Sequence, residues 1–388
     1  MDTTSRTAMT KRPAPRRARK VLSTTAVDRA AAAFDRAVTV WHAGSRRRAL
    51  GLATKALGRC EALLGKSHPD IGPVAAEIGT MQEELGEYAA ARRSYARALR
   101  LVERETGDDA ALRLVDALCR LANLRRVQGA YDEARALFRR ALPIAERAPR
   151  PRNALVGALN GIAVIGKYTG RFAEAERLYR RALVIAEEDL GPDHPAIATL
   201  LHNLGGLEHA RGRFAKGEPY ARRSVEIREK ALGPDHHEVA ADRTALAGLL
   251  DGQGRFDESL PIYEHALAIF ERAYGPEHYE VAVTLNNLAA IHHARGRFDE
   301  AETLYRRVLA IKEKLLGRRH PDVAVTLHNL GALLAESGRL ADAQRLARRA
   351  VSIFEDAVPA RDPKLAAARE ALAAHLEAGS KRAANAAS

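Results

Sequence analysis

The chain has 388 residues, a net charge of +13, and 46% hydrophobic but only 5% aromatic residues. This balance supports a folded core and suits close-packed helices better than sheets. No run reaches the roughly 18 apolar residues of a membrane span, the start has no signal-peptide stretch, and Cys60 and Cys119 lack CxxC spacing. We therefore expect a reduced cytoplasmic protein with no membrane partner. Residues 1–20, rich in Arg, Ser and Thr, leave an organelle transit peptide as the alternative.

The excess positive charge is concentrated near the start of the chain. Residues 1–22 hold seven Lys and Arg against one acid, Asp2. We predict a disordered basic N-terminal tail over residues 1–23. Residues 24–65 are predicted to be a degenerate capping repeat, because Gly44, Ala49 and Ala56 fit the pattern described next while Arg36 occupies an aliphatic position.

A glycine recurs every 42 residues. It is found at Gly191, Gly233, Gly275 and Gly317, and Gly65 lies three such steps before Gly191. A fixed period of this length marks a repeat array. In the phrase Gly-Pro-Asp-His-Pro that begins at Gly191, the glycine can end one helix, Asp or His can cap the next, and proline suits its first position. We predict seven repeats over residues 66–359.

Each repeat contains two amphipathic helices around a second, hinge glycine. In residues 276–317, apolar residues follow helical spacing on both sides of Gly296. A small residue stands seven positions before each hinge glycine, and an aliphatic residue stands immediately before that small residue. Aromatic residues follow the hinge, and we expect them to pack in the core rather than form a platform for stacking nucleic-acid bases.

Two places depart from the regular pattern. Pro143 falls inside a second helix, and residues 148–152 replace the usual loop, so a kink of the superhelix and a harmless substitution are both open. Residues 360–378, with Leu365, Leu372 and Leu376, are predicted to form a C-terminal capping helix, followed by a disordered tail over residues 379–388.

The order of aliphatic residue, small residue, hinge glycine and aromatic residues resembles the tetratricopeptide repeat. The period, and phrases such as HPDVAVTLHNLGALLAESGRLADA, are similar to the repeats of the kinesin light chain type. This resemblance implies an all-α, right-handed α-solenoid of about eight stacked helix hairpins, with first helices lining a concave groove. It covers the repeat region only, because residues 1–23 hold no heptad segment like the one that precedes the kinesin light chain repeats.

The resemblance also implies a binding role for the two positions before each aliphatic residue. In repeats of this type these positions often hold asparagine, which binds the main chain of an extended peptide. The candidate groove residues are His202, Asn203, Asn286, Asn287, His328 and Asn329. An amide both donates and accepts hydrogen bonds, as a peptide bond requires. The alternative is that these amides tie neighbouring repeats together.

The sequence thus predicts a non-enzymatic scaffold or adaptor with a protein or peptide partner and no cofactor. Nucleic acid or another acidic partner, bound by the basic arm and by arginine pairs such as Arg180-Arg181 and Arg222-Arg223, is the less favoured alternative. A salt-paired outer face is the preferred account of these pairs. His202, His209, His292 and His293 could gather a metal, but no metal-binding spacing supports this, and no metal is expected. The oligomeric state stays open.

Overall fold

A computed structural model describes residues 25–150, 152–358 and 362–387. The predicted tail over residues 1–23 lies outside this range. The described residues form seventeen helices and no strand, and each predicted repeat contains one helix pair. None of these helices is both long enough and apolar enough to cross a membrane. The helices are α1 (Thr25–His42), α2 (Arg46–Leu64), α3 (Ile71–Glu84), α4 (Tyr88–Val102), α5 (Asp108–Val127), α6 (Tyr131–Ala145), α7 (Asn153–Tyr168), α8 (Phe172–Leu190), α9 (Pro195–Ala210), α10 (Phe214–Leu232), α11 (His237–Asp251), α12 (Phe256–Tyr274), α13 (Tyr279–Ala294), α14 (Phe298–Leu316), α15 (Pro321–Glu336), α16 (Leu340–Ala357) and α17 (Pro363–Ala387).

The recurring Gly-x-x-His phrase ends one helix and begins the next. Gly191 has φ of 85°, a left-handed conformation that suits glycine, and it follows the last residue of α8. His194 then caps α9, because its Nδ1 accepts a hydrogen bond from the backbone N–H of Ala196 at 3.2 Å. The equivalent histidines cap α11, α13 and α15 in the same way. The predicted stop and start signals are confirmed, and histidine is the capping residue.

Two sets of aromatic residues follow the hinge, and one of them lies fully in the core. Tyr95, Phe138, Tyr179, Tyr263 and Tyr305 are all buried, as the sequence predicted. The residues two positions after the hinge glycine were expected in the core as well but are only half-buried: Tyr88, Tyr131, Phe172, Phe214, Phe256 and Phe298. The small residues before the hinge allow the paired helices to approach closely: a Cβ on Gly205 would lie 3.4 Å from the carbonyl oxygen of Gly217. The core is thus copied from one hairpin to the next, as in a repeat solenoid.

The chain divides into two compact units, and the boundary lies inside α5, between Leu124 and Arg125. In the first unit, Ala37, Trp41, Ala49, Ala53, Ile78 and Met81 form one apolar cluster. In α5 of the same unit, Arg120 bonds Thr80 at 2.8 Å and pairs with Glu77 at 3.1 Å. The positions that precede the aliphatic residue there are therefore used for contacts between helices α3 and α5.

In the second unit the first helices of successive hairpins contact one another. These contacts join α7 with α9, α9 with α11, α11 with α13, and α13 with α15. Within the described part of this unit, successive second helices make no such contact. The first helices therefore follow the shorter, inner path of the stack. We call their surface that points away from the second helices the inner face.

The end of the chain is more helical than the sequence predicted. Leu365 and Ala368 of α17 pack against Val351 and Phe354 of α16, so this helix covers the last hairpin as expected. It does not end near residue 378 but continues to Ala387, through most of the predicted tail. Leu376 is exposed and does not belong to the core. Pro143 lies inside α6, two residues before the helix ends.

Candidate binding groove on the inner face

The six candidate residues lie on the first helices α9, α13 and α15. His202, Asn203, Asn286, Asn287, His328 and Asn329 are all half-buried, whereas the aliphatic residues beside them, such as Leu204 and Leu288, are buried. The helical period thus points the aliphatic residue toward the second helix of its hairpin and leaves the two preceding positions on the inner face. What these six side chains bind stays a prediction.

Asn203 ties two neighbouring first helices together. Its side-chain Nδ2 donates to Oδ1 of Asn160 at 2.8 Å, joining α9 to α7. Asn160 stands ten residues before the hinge glycine Gly170, the position that His202 occupies in the next repeat. Sequence reasoning missed Asn160, although counting back from the hinge identifies it. Asn203 therefore has the structural role that the sequence left as an alternative.

Asn286 differs from Asn203 because part of its amide is unpaired. Its Oδ1 is buried and accepts no hydrogen bond from the described residues. The neighbouring Asn287 lies beside the hydroxyl of Tyr263. Burial and then Asp251 raise the pKa of that hydroxyl, and Asn287 opposes the rise. A buried amide oxygen without a donor costs about 1–3 kcal/mol.

A buried charge network joins the inner face to a second helix. Nδ1 of His202 lies 2.8 Å from Oδ1 of Asp242, whose Oδ2 accepts from Nε of Arg228 at 2.6 Å. The same guanidinium pairs with Glu238 and donates to the hydroxyl of Thr199 at 3.1 Å. Asp242 and Arg228 are both buried, and each is partnered by the other and by one further group, His202 for Asp242 and Glu238 for Arg228. Burial raises the pKa of Asp242, but His202 and then Arg228 outweigh this effect and lower that pKa below its ordinary value.

The sequence did contain a signal for this network. Asp242 stands twelve residues before its hinge glycine, where the next two repeats have Thr284 and Thr326. Arg228 stands where the following repeat has Phe270. A charged residue thus replaces an uncharged one at two positions, one on each of two packed helices, and the two charges are opposite. This combination predicts a buried ion pair.

Carboxylates lie at the N-terminal ends of α13 and α15. The hydroxyl of Tyr279 donates to Oδ2 of Asp322 at 2.6 Å. Burial raises the pKa of Glu280, and His202 partly offsets that rise, which places Glu280 close to the candidate residue on α9. The inner face thus carries acid, amide and imidazole groups rather than a uniform charge.

The arginine pairs on the second helices are matched by carboxylates. The first arginine of a pair binds a glutamate one turn earlier, as in Arg222 with Glu218 at 2.6 Å. The second binds a glutamate of the preceding repeat, as in Arg223 with Glu187 at 3.1 Å. The same arrangement recurs in Arg180 with Glu176, Arg181 with Glu146, Arg306 with Glu302, Arg307 with Glu271 and Arg349 with Glu313. The expected salt-paired outer face is confirmed for these arginines.

Three of the four histidines considered for a metal have other contacts, whereas Nδ1 of the fourth, His292, is buried without a partner among the described residues. His202 pairs with Asp242, His293 lies 3.0 Å from Glu336, and the ring of His209 packs edge-on against Phe214. Over the ranges that the structure describes, no group of three or more His, Cys, Asp or Glu side chains is placed to hold a metal ion.

Comparisons with known proteins agree with the repeat architecture. No curated protein sequence is significantly similar to the chain. Among solved structures, BtubC (BKLC) from P. vanneervenii is 27% identical, with 60% of this chain and 96% of that chain covered and a TM-score of 0.47. Repeats from Podosopora anserina named as those of a kinesin light chain are 25% identical, with 51% and 94% covered and a TM-score of 0.41.

The Rap conjugation gene regulator of the plasmid pLS20, solved with the Phr* peptide, is 16% identical, with 73% of each chain covered and a TM-score of 0.59.

A family model for the tetratricopeptide repeat matches residues 155–216, 197–272, 243–314 and 280–356, more than half of the chain. A second model of the same repeat matches residues 30–70 and 114–148. The chain belongs to the tetratricopeptide repeat family.

Proposed function

We propose that the inner face of the second unit binds an extended segment of a partner protein, and that the protein acts as a non-enzymatic scaffold. The observation that carries this proposal is the buried Oδ1 of Asn286, which has no donor among the described residues, on a face that also presents Asn287 and Asn329. A segment crossing this face can donate a main-chain N–H to Oδ1 once the half-buried side chain of Asn286 turns that oxygen toward it, and it can accept from the amide nitrogens.

Two further observations support binding over catalysis. The pLS20 Rap regulator has a similar fold, and its structure contains a peptide. The polar groups of the inner face are amides, imidazoles and carboxylates spread along three first helices, which suits recognition along a chain better than chemistry at one point. Each hydrogen bond to a side-chain amide contributes only about 0.5–1.5 kcal/mol net, so the amides mainly orient a bound segment. Contacts in side-chain pockets supply the rest, and about micromolar affinity, roughly 8 kcal/mol, is the ceiling for one short peptide.

The test uses a displayed library of random twelve-residue peptides. Peptides selected by the native protein are synthesised with a fluorescent label, and their affinities are measured by anisotropy. Asn286→Ala is expected to weaken binding about 2- to 12-fold, because it removes one hydrogen bond to the ligand. It should not lower thermal stability, because this oxygen has no partner among the described residues.

The matched control is Asn203→Ala. This change breaks the bond to Asn160, so it should lower stability even without ligand. Failure to select any peptide, or unchanged affinity in Asn286→Ala, would refute the proposal.

A further inference from the structure

Two successive repeats place a cationic side chain at one equivalent position. Arg126 and Lys167 each stand three residues before a hinge glycine, at Gly129 and Gly170 respectively, and the next repeat has His209 before Gly212. At the same position α3 has Glu83 and α11 has Asp251. The change from acid to base over these repeats is not a feature of the repeat pattern, and it needs a separate explanation.

The acidic version of this position has a clear structural role. The hydroxyl of Tyr95 donates to Oε2 of Glu83 at 2.7 Å, and the hydroxyl of Tyr263 donates to Oδ2 of Asp251 at 2.8 Å. In the repeat that contains Lys167, the equivalent tyrosine is Tyr179. Its hydroxyl is buried and has no hydrogen-bond partner within the described residues. Lys167 therefore replaces a group that would have completed the core.

Lys167 and Arg126 have no counter-ion among the residues that the structure describes. Within the described part of the chain, neither forms an ion pair, and Nε of Arg126 is buried without an acceptor. The charged groups that act on Lys167 are Arg126 and Lys364, both of them cations. Burial, followed by these two charges, lowers the pKa of Lys167 to about 8. Two neighbouring positive charges are thus held together against their mutual repulsion.

The ammonium group of Lys167 lies beside an aromatic ring. Its Nζ is 5.2 Å from the ring centre of Tyr168 and 3.4 Å from where a Cβ on Gly206 would be. Tyr168 stacks on Tyr131 at 5.9 Å with an angle of 10° between the rings; Tyr168 is 46% exposed and Tyr131 is half-buried. A partly exposed aromatic pair therefore lies beside Lys167.

We propose that Arg126 and Lys167 bind a phosphoryl dianion. A phosphoryl group carries about −1.5 to −2 charges and three acceptor oxygens, so it can neutralise both cations at once, whereas a carboxylate neutralises only one. The site goes beyond the proposed peptide groove and does not depend on it.

Nearby carboxylates argue against a polyanion as the occupant. Burial is the main cause that raises the pKa of Tyr131 to about 12, and Asp322 and Asp362 add to the rise, so both acids lie near the stacked rings. A nucleic-acid strand running past the two cations would meet these carboxylates, while a single phosphoryl group need not. The phosphoryl group can belong to a phosphorylated side chain or to free phosphate, and the experiment separates the two.

The first probe is inorganic phosphate, titrated calorimetrically at pH 7.5 and constant ionic strength, with chloride as reference. The native protein should bind phosphate saturably, and Lys167→Met and Arg126→Gln should each weaken binding at least about 10-fold. Lys216→Met is the matched control, because it removes an exposed lysine from the second helix α10. Equal binding in Lys167→Met and the native protein, or an equal response to chloride, would overturn the proposal.

Two further probes identify the source of the phosphoryl group. The first is a five-residue peptide with central phosphoserine and its serine counterpart. Binding of the phosphopeptide at least about 10-fold tighter than free phosphate assigns a phosphorylated protein, and equal or weaker binding assigns free phosphate. The second is a twelve-residue oligothymidylate. Tighter binding of the oligonucleotide through the same two residues would contradict the assignment and indicate nucleic acid. Lys167→Glu serves as a second variant, because it is expected to fold stably and still lose phosphate binding.

Discussion

Replacing Lys167 by glutamate should stabilise the protein while it abolishes anion binding. The new carboxylate would stand where Glu83 and Asp251 accept the hydroxyls of their tyrosines at 2.7 and 2.8 Å, and it would provide Tyr179 with the acceptor that it lacks. An unsatisfied buried hydroxyl costs about 1–3 kcal/mol. The change also removes repulsion with Arg126, although burial of the carboxylate offsets part of the gain, as it does at Asp251, where burial raises the pKa. We expect a net gain of about 1–2 kcal/mol.

The assay is urea unfolding followed by helical circular dichroism, with the midpoint and slope compared between variants. Lys167→Met removes the charge without adding an acceptor, so the difference between the Glu and Met variants isolates the new hydrogen bond. Combining each with Tyr179→Phe closes a double-mutant cycle, in which the extra gain of the Glu variant should disappear. The reasoning is refuted if Lys167→Glu is no more stable than Lys167→Met, or if its advantage persists without the hydroxyl.

Three further changes test the packing and charge of the second unit. Folding lowers the pKa of Lys167 from 10.5 to about 8, so between these two pH values the unfolded chain binds more protons than the folded chain. The free energy of unfolding should therefore rise across this pH window by up to about 3 kcal/mol. Lys167→Met should lack that rise. Gly161→Ala would place a Cβ 2.2 Å from the ring of Phe138 and should lower the free energy of unfolding by about 1–3 kcal/mol. Gly157→Ala, in open space on the same helix, should raise it by about 0.5–1 kcal/mol. Equal melting temperatures of the two variants would contradict this. Asp242→Thr leaves the buried guanidinium of Arg228 with one carboxylate, that of Glu238, among the described residues, and should cost about 1–3 kcal/mol in urea unfolding, so an unchanged unfolding midpoint would show that the pair is not coupled.

The sequence predicted most of the fold because each repeat is decided locally. Gly191 can adopt a left-handed conformation, proline begins the following helix, and the aromatic residues sit at one face of each second helix, so the hairpin is determined within 42 residues and then copied. Whether Asp193 or His194 caps α9, and where α17 ends, depend on geometry that the repeat pattern does not contain. The residues of the two proposed sites were harder to predict. A repeat pattern describes what the repeats share, whereas residues such as Lys167 differ from the residues at the same position in other repeats.

Those differing positions fall into two physical classes. At Arg228 a charge enters a core position, but Asp242 on the facing helix compensates it; Lys312, at the corresponding position two repeats later, is likewise buried and donates to the hydroxyl of Thr326 at 3.2 Å. Each of these two cations thus has a polar partner on the facing helix. Among the described residues Lys167 has no such partner, and the hydroxyl of Tyr179 in the same repeat has no acceptor. A charge that the fold does not compensate lowers stability, so it persists only if something else compensates it, and an anionic ligand is the simplest group that does so.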